Sequence, residues 1–220
     1  MLSCLFLDTD DRRFFSLEAR RVIHEVCEAT EPEVRALLPG LPELIELAAQ
    51  TGTFVIPETG ELGTAWSPRR VNWTVDPTRT GGVAAIARAE LRATLFHELH
   101  HLARGWTVRG GTPRAHFVDG VISEGLATAF ERDFGGRRPP WGDYPPEAAA
   151  WVTELLALPL TASYQQWMFQ HPDGRRWIGY RAGTYLADRA IAASGRSAAQ
   201  LARTSAREIL QLSGLSLPAY

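Results

Sequence analysis

Between Gly81-Gly82 and Gly105 lies a stretch rich in Ala, Leu and Arg, residues 83–104, that reads as the strongest helix of the chain, and it carries His97-Glu98-Leu99-His100-His101. Three imidazoles in five residues are poor helix filler, so their spacing has to be explained. His97 and His101 are four residues apart, which on a helix is about 400° of rotation and about 6 Å of rise. Both rings therefore leave one face a turn apart, and two ring nitrogens so placed can reach one ion at about 2.0–2.1 Å. Glu98 is turned by about 100° from His97. It cannot easily share the ion, but it can reach a water bound there. This is the layout of a helical zinc-hydrolase motif, with the glutamate as general base. His100, about 100° away from His101, reads as a supporting or surface contact.

A catalytic zinc needs a third protein ligand and one open position. An extended variant with a glycine and a histidine after His101 is excluded, because those positions hold Arg104 and Thr107. The remaining candidates are Glu124, His116, Asp119 and Glu131. Glu124 is favoured. It sits in Ile122-Ser123-Glu124-Gly125-Leu126-Ala127, at the start of a helix expected over 119–134. Gly125, Ala127 and Ala129 would let that helix approach the His97 helix, and Ser123 could cap its first turn. The competing reading makes Glu124 a first-turn carboxylate favoured by the helix dipole. His116 and Asp119 lie in a Gly-rich connection, and Glu131 reads as a salt-bridging surface group.

The rest of the 220 residues read as ordinary soluble protein: 45% apolar, 22% charged, formal charge −2. That charge provides no broad positive field for tracking phosphates. No apolar run approaches the roughly 18 residues of a membrane span. The apolar start, residues 1–7, runs into Asp8, Asp10 and Asp11 without a basic leader, which suggests a short buried strand rather than a secretion signal. Cys4 and Cys27 are too few and wrongly spaced for a disulfide framework or a metal knuckle, and read as reduced, buried residues of a cytoplasmic protein. Helical periodicity is expected over 12–29, with shorter helices at 31–38 and 42–50. Strands are expected at 53–56 and 70–75, the latter alternating Val71, Trp73 and Val75 with Arg70, Asn72 and Thr74. Further helices are expected at 147–156, 163–170, 180–194 and 197–212. Helices, a few strands, then helices imply an α+β fold, mostly helical with a small sheet. Residues 1–52 read as an N-terminal helical segment and 53–220 as the catalytic domain.

With these residues in place the chain resembles DUF2268, a family of predicted zinc-dependent peptidases within the gluzincin group. The resemblance rests on His97-Glu98-Leu99-His100-His101, on Ser123-Glu124-Gly125-Leu126-Ala127, and on Gly179-Tyr180-Arg181-Ala182-Gly183-Thr184-Tyr185, and spans roughly residues 54–212. It implies a thermolysin-like arrangement, with a small sheet over the active-site helix and a glutamate as third ligand. Many gluzincins carry an aspartate one turn after that ligand to orient a histidine; here the position is Thr128.

The expected chemistry is hydrolysis of a peptide or protein substrate with one zinc ion held by His97, His101 and Glu124. Glu98 moves the proton, and a further donor stabilises the oxyanion. Tyr180 is favoured for that donor, followed by Tyr185, Arg181 and His171, since Gly179 and Gly183 are small enough for a close helix approach to the zinc. If the strand containing Asn72, Trp73 and Thr74 is the sheet edge beside the active-site helix, an extended peptide could pair with it. Trp66, Trp73, Trp141, Trp151, Trp167 and Trp177 read as core or groove walls. A zinc hydrolase of a small amide or ester, or a non-catalytic metal-binding regulatory domain, are the alternatives. Glu98 argues against the last, because a structural site has no need of a base.

Overall fold

The apolar run near the start and the Leu-Ala-rich run before residue 52 pair side by side. In the computed structural model, which describes residues 1–7 and 14–215, they are the parallel strands β1 (Leu2–Phe6) and β2 (Ile45–Thr51). The chain divides into two compact units, Met1–Gly111 and Thr112–Tyr220.

The first unit holds a four-stranded sheet of order β1-β2-β4-β3, where β3 is Glu61–Ser67 and β4 is Arg70–Val75. β2 runs parallel to both β1 and β4, and β3 is antiparallel to β4. The stretch 42–50, expected as helix, is thus mostly a central strand. Its Leu47-Ala48-Ala49 core is fully buried on both faces, as a strand flanked by parallel neighbours requires. Good helix formers were overridden by pairing on both edges. The N-terminal 52 residues therefore supply two strands beside one helix, and are not simply helical. β1 is half-exposed rather than buried, because it is an edge strand with alternating exposure. The expected strand at 53–56 reduces to an isolated bridge from Ile56 to Glu61, with Phe54 exposed.

A single helix, α1 (Leu17–Leu37), replaces the two helices expected over 12–29 and 31–38; Arg12 and Arg13 lie outside the described residues. Ser16 caps it by accepting from the Ala19 N–H at 3.2 Å. Pro32 stands inside it, and the buried stripe Val22, Ile23, Cys27, Thr30 and Val34 continues past that point, so packing holds the helix together where local propensity would break it. Cys27 meets Cys4 of β1 with the sulfurs 3.7 Å apart, both thiols free. The expected helix over 83–104 is α2 (Gly82–Ile86), a π-helical turn (Ala87–Leu91) and α3 (Arg92–Arg104) in one continuous run. α1 packs along all three, clipped by Arg92 forking onto Glu33 at 2.8 and 2.9 Å. α3 also packs on β3.

The second unit is helical: α4 (Phe117–Phe134), α5 (Ala148–Leu156), α6 (Tyr164–Met168), α7 (Ile178–Ser194), α8 (Ala198–Leu201) and α9 (Ala206–Leu212). The helix expected over 197–212 is split, because Ser205 accepts from the Glu208 N–H and starts a new N-terminus. α4 and α7 form the most extensive helix pair, and they touch main chain to main chain. A Cβ on Gly125 would fall 2.0 Å from the Gly183 carbonyl carbon, and one on Gly183 would fall 2.1 Å from the Val121 oxygen. Gly125 is thus taken up by α7. Gly183 serves the same contact, and a Cβ on Gly179 would strike Met168. Neither α7 glycine does what was expected of it at a zinc site. Arg132 of α4 completes the clasp with a fork onto Asp188 of α7 at 3.0 and 2.8 Å.

No described helix is long and apolar enough to cross a membrane. Because the obstructing atoms at Gly183 are backbone, no rotamer change relieves a methyl there. Gly183→Ala is expected to destabilise the protein by about 3 kcal/mol or more, lowering the calorimetric Tm by roughly 6–12 °C.

Candidate metal centre

α3 presents its polar residues inward. His97 and Glu98 are 8% and 7% exposed, His101 is 4%, and His100 is fully buried, which removes the surface reading of His100. The rings of His97 and His101 sit one turn apart, centroids 4.8 Å, edge to face. One turn before them, the Thr94 hydroxyl donates to Glu61 Oε2 at 2.9 Å, and the Trp73 indole N–H donates to the same oxygen at 2.8 Å. Glu61 is 3% exposed, so this carboxylate ties α3, β3 and β4 together from inside. Next along β3, Gly63 lies directly on the helix. A Cβ there would come within 2.5 Å of the Thr94 methyl and 2.8 Å of Glu98 Cγ. The Glu98 side chain occupies the space that any other residue at 63 would fill.

α4 begins two residues earlier than expected. His116 is its N-cap, accepting from the Val118 N–H at 3.1 Å through Nδ1, while Asp119 reaches back to the His116 N–H at 2.9 Å. Both candidates are therefore engaged in a capping box. Ser123 and Glu124 lie two turns into α4, so Ser123 is not a cap and Glu124 is not a first-turn dipole partner. Ser123 is fully buried and Glu124 is 7% exposed. Glu131 is buried too, at 4%, and is no surface group. The Tyr164 hydroxyl of α6 donates to Glu124 Oε1 at 3.0 Å.

Among the described residues, His97, His101 and Glu124 each offer one ligand atom, all within 4.8 Å of one another and all buried. Ligand atoms of one tetrahedral zinc stand about 3.4 Å apart at bond lengths of about 2.0–2.1 Å. The set therefore fits an ion after a modest closing of the side chains. Two neutral imidazoles and one carboxylate are a donor set that a catalytic zinc takes, and Glu98 adds a buried carboxylate outside it.

Residues 19–211 match DUF2268, described as a predicted Zn-dependent protease. The chain belongs to this family. No curated protein and no solved structure matches it significantly.

The other residues expected at this family member's site are placed as follows. Tyr180 lies in the first turn of α7, its ring against Trp177, Phe169 and Trp141 at 5.6, 6.0 and 6.3 Å. Tyr185 faces elsewhere, edge-on to Tyr144 at 5.4 Å and under Arg189 at 5.7 Å; burial and the adjoining Asp188 carboxylate push the Tyr144 phenol up. Arg181 is half-buried, and its Nε has no hydrogen-bond partner among the described residues. His171 pairs with Asp173 at 2.9 Å and lies tilted against Trp167. Asn72, Trp73 and Thr74 require a correction. β4 is paired on both sides, so it offers no edge to a peptide. Trp73 is fully buried beneath it. The edge strand on α3 is β3. Thr128 is fully buried, and its hydroxyl has no partner among the described residues. Its hydroxyl therefore orients no ligand of the candidate centre by a hydrogen bond.

Three residues at this centre escaped sequence reading: Glu61, Gly63 and Tyr164. The first two sit on a strand that lacked a β-branched signature, and Tyr164 is forty positions from its partner. Protein purified without chelator is expected to carry one zinc per chain by metal analysis. His97→Ala, His101→Ala and Glu124→Ala should each lose it, whereas His116→Asn, which keeps a capping side chain, should retain it. Zinc loss from His116→Asn would make His116 a ligand.

Proposed function

We propose that the chain is a zinc-dependent metallopeptidase of the gluzincin type, with one zinc ion held by His97, His101 and Glu124 and with Glu98 as general base. The observation that carries this reading is the buried His-His-Glu donor set next in sequence to a carboxylate that is not part of it. Membership of a family of predicted proteases supports it. When bound, zinc would supply a Lewis acid that lowers the pKa of water toward about 7 and polarises the scissile carbonyl.

The remaining work falls to the chain's own residues. Glu98 accepts the proton of the attacking water and hands it to the leaving amine nitrogen. Its carboxylate is confined against Gly63, so it needs little reorganisation as charge develops. Tyr180, whose ring is walled by three aromatic neighbours, is the candidate oxyanion donor.

The packing of β3 on α3 supports a zincin-like arrangement and gives the substrate a place. On the outer edge of β3, the Glu61 and Ala65 carbonyls already accept from the Ile56 and Val108 N–H groups at 3.0 Å each. Residues 62–64 form the gap between them. With the strand alternation preserved from 61 to 65, the backbone of Gly63 faces outward in that gap, and the Thr64 hydroxyl donates to its carbonyl at 2.7 Å. An extended peptide pairs there as an added strand, held by main-chain hydrogen bonds with its scissile bond passing Glu98. The setting that fits two adjacent free thiols, Cys4 and Cys27, is the reducing cytoplasm. The partner is a peptide or protein, not a nucleic acid or a membrane, in keeping with the formal charge of −2.

The deciding test compares wild type with Glu98→Gln in a peptide-library digest, with zinc content measured on both. The variant should keep its zinc and lose roughly 10²–10⁴ in turnover. Equal cleavage by both proteins, or turnover of small esters and amides without any peptide cleavage, would overturn the peptidase reading.

A further inference from the structure

Glu124 sits in the middle of α4, with three side-chain torsions between its backbone and its carboxylate; the last of these is broad in its preferences. Its two oxygens are equivalent until something distinguishes them, and a ligand that must first be ordered binds more weakly. A neighbouring hydroxyl distinguishes them. The Tyr164 hydroxyl donates to Oε1 at 3.0 Å, a hydrogen bond to a charged acceptor and so among the stronger kinds. We infer that Tyr164 is a positioning residue of the metal centre, whose hydroxyl occupies Glu124 Oε1 and thereby presents Oε2 to the ion.

This inference rests on the zinc reading and deepens it. Metal ligands commonly need a hydrogen-bonded neighbour to fix their orientation. Thr128, one turn after Glu124, is buried with a hydroxyl that meets no partner among the described residues. Tyr164 supplies the function from another helix. Its ring is gripped on several sides. Phe117, at the start of α4, lies at 6.0 Å and Phe169 at 6.4 Å, centroid to centroid. The Arg114 guanidinium stands 5.1 Å from the ring centre. A cation over the π face draws electron density from the ring and makes the phenol a better donor to the carboxylate. α6 itself is only one turn long and is started by Ser163, which accepts from the Gln166 N–H.

The test is zinc affinity, measured by competition with a chromogenic chelator on the full chain. Tyr164→Phe keeps the ring and its contacts and removes only the hydroxyl. It should weaken zinc binding by roughly 10–100-fold, alter the visible spectrum of the cobalt-substituted protein, and leave the melting temperature of the zinc-free protein unchanged. In a Glu124→Ala background, where the residual weak affinity rests on His97 and His101 and is read at raised zinc concentration, the same substitution should produce no further loss. Unchanged affinity and cobalt spectrum in Tyr164→Phe, with tight zinc binding by wild type, would overturn this inference and leave the zinc reading standing. An equal loss in both backgrounds, or one matched by destabilisation of the zinc-free protein, would assign the hydroxyl to packing and overturn it as well. A wild type with no affinity for zinc would overturn both.

Discussion

Taking a histidine ring or a carboxylate out of water is unfavourable unless another polar group meets it, and here five such side chains, His97, Glu98, His100, His101 and Glu124, are each less than a tenth exposed. Much of the surrounding construction answers that requirement. Glu61 is buried with them but accepts from the Trp73 indole and the Thr94 hydroxyl, so it adds rigidity to α3. Gly63 removes a side chain so that the Glu98 stem can lie against the strand. Tyr164 meets one oxygen of Glu124. An ion bound to His97, His101 and Glu124 would add to this.

The same demand for fixed positions explains how the second unit is assembled. Glu124 is followed directly by Gly125, the residue whose backbone touches that of Gly183. The height of Glu124 relative to α7 is therefore set by a main-chain contact, which has no rotamers to explore, and not by side-chain packing that could relax. The Arg132–Asp188 fork locks rotation about the same contact two turns further on.

How much of this could be read in advance follows from the range of the signals involved. The grouping of His97, His101 and Glu124, with Glu98 beside it, was legible because two short motifs carry it, and α3 and α4 form within a few residues of where the periodicity put them. The strand alternation of 70–75 was legible for the same reason. β2 was not: Leu, Ala and Glu favour a helix locally, and only its neighbours β1 and β4 make it a strand. β3 contains Gly63 and no run of branched residues, so the edge was assigned to β4 instead. Which helix a glycine faces is also a tertiary fact. Gly125 and Gly183 were recognised as close-approach residues, but the sequence could not say that they approach each other. Tyr164 and Glu61 act across the fold through single hydrogen bonds, and no short-range pattern marks such partners.

The π-helical turn at 87–91 bears on the helix that carries the histidines. A wider turn takes up one residue more than an α-turn, so everything downstream is rotated by about 100° relative to an unbroken helix. Two neighbours constrain this helix, α1 along its whole length and β3 along its later part, and a strictly regular helix would have to satisfy both with one azimuth. The π turn works as a phase shifter. It allows the upstream stretch to be dialled to α1 while Thr94 and Glu98 are dialled to β3, so the aim of the histidines is set by a residue count upstream as much as by their own spacing.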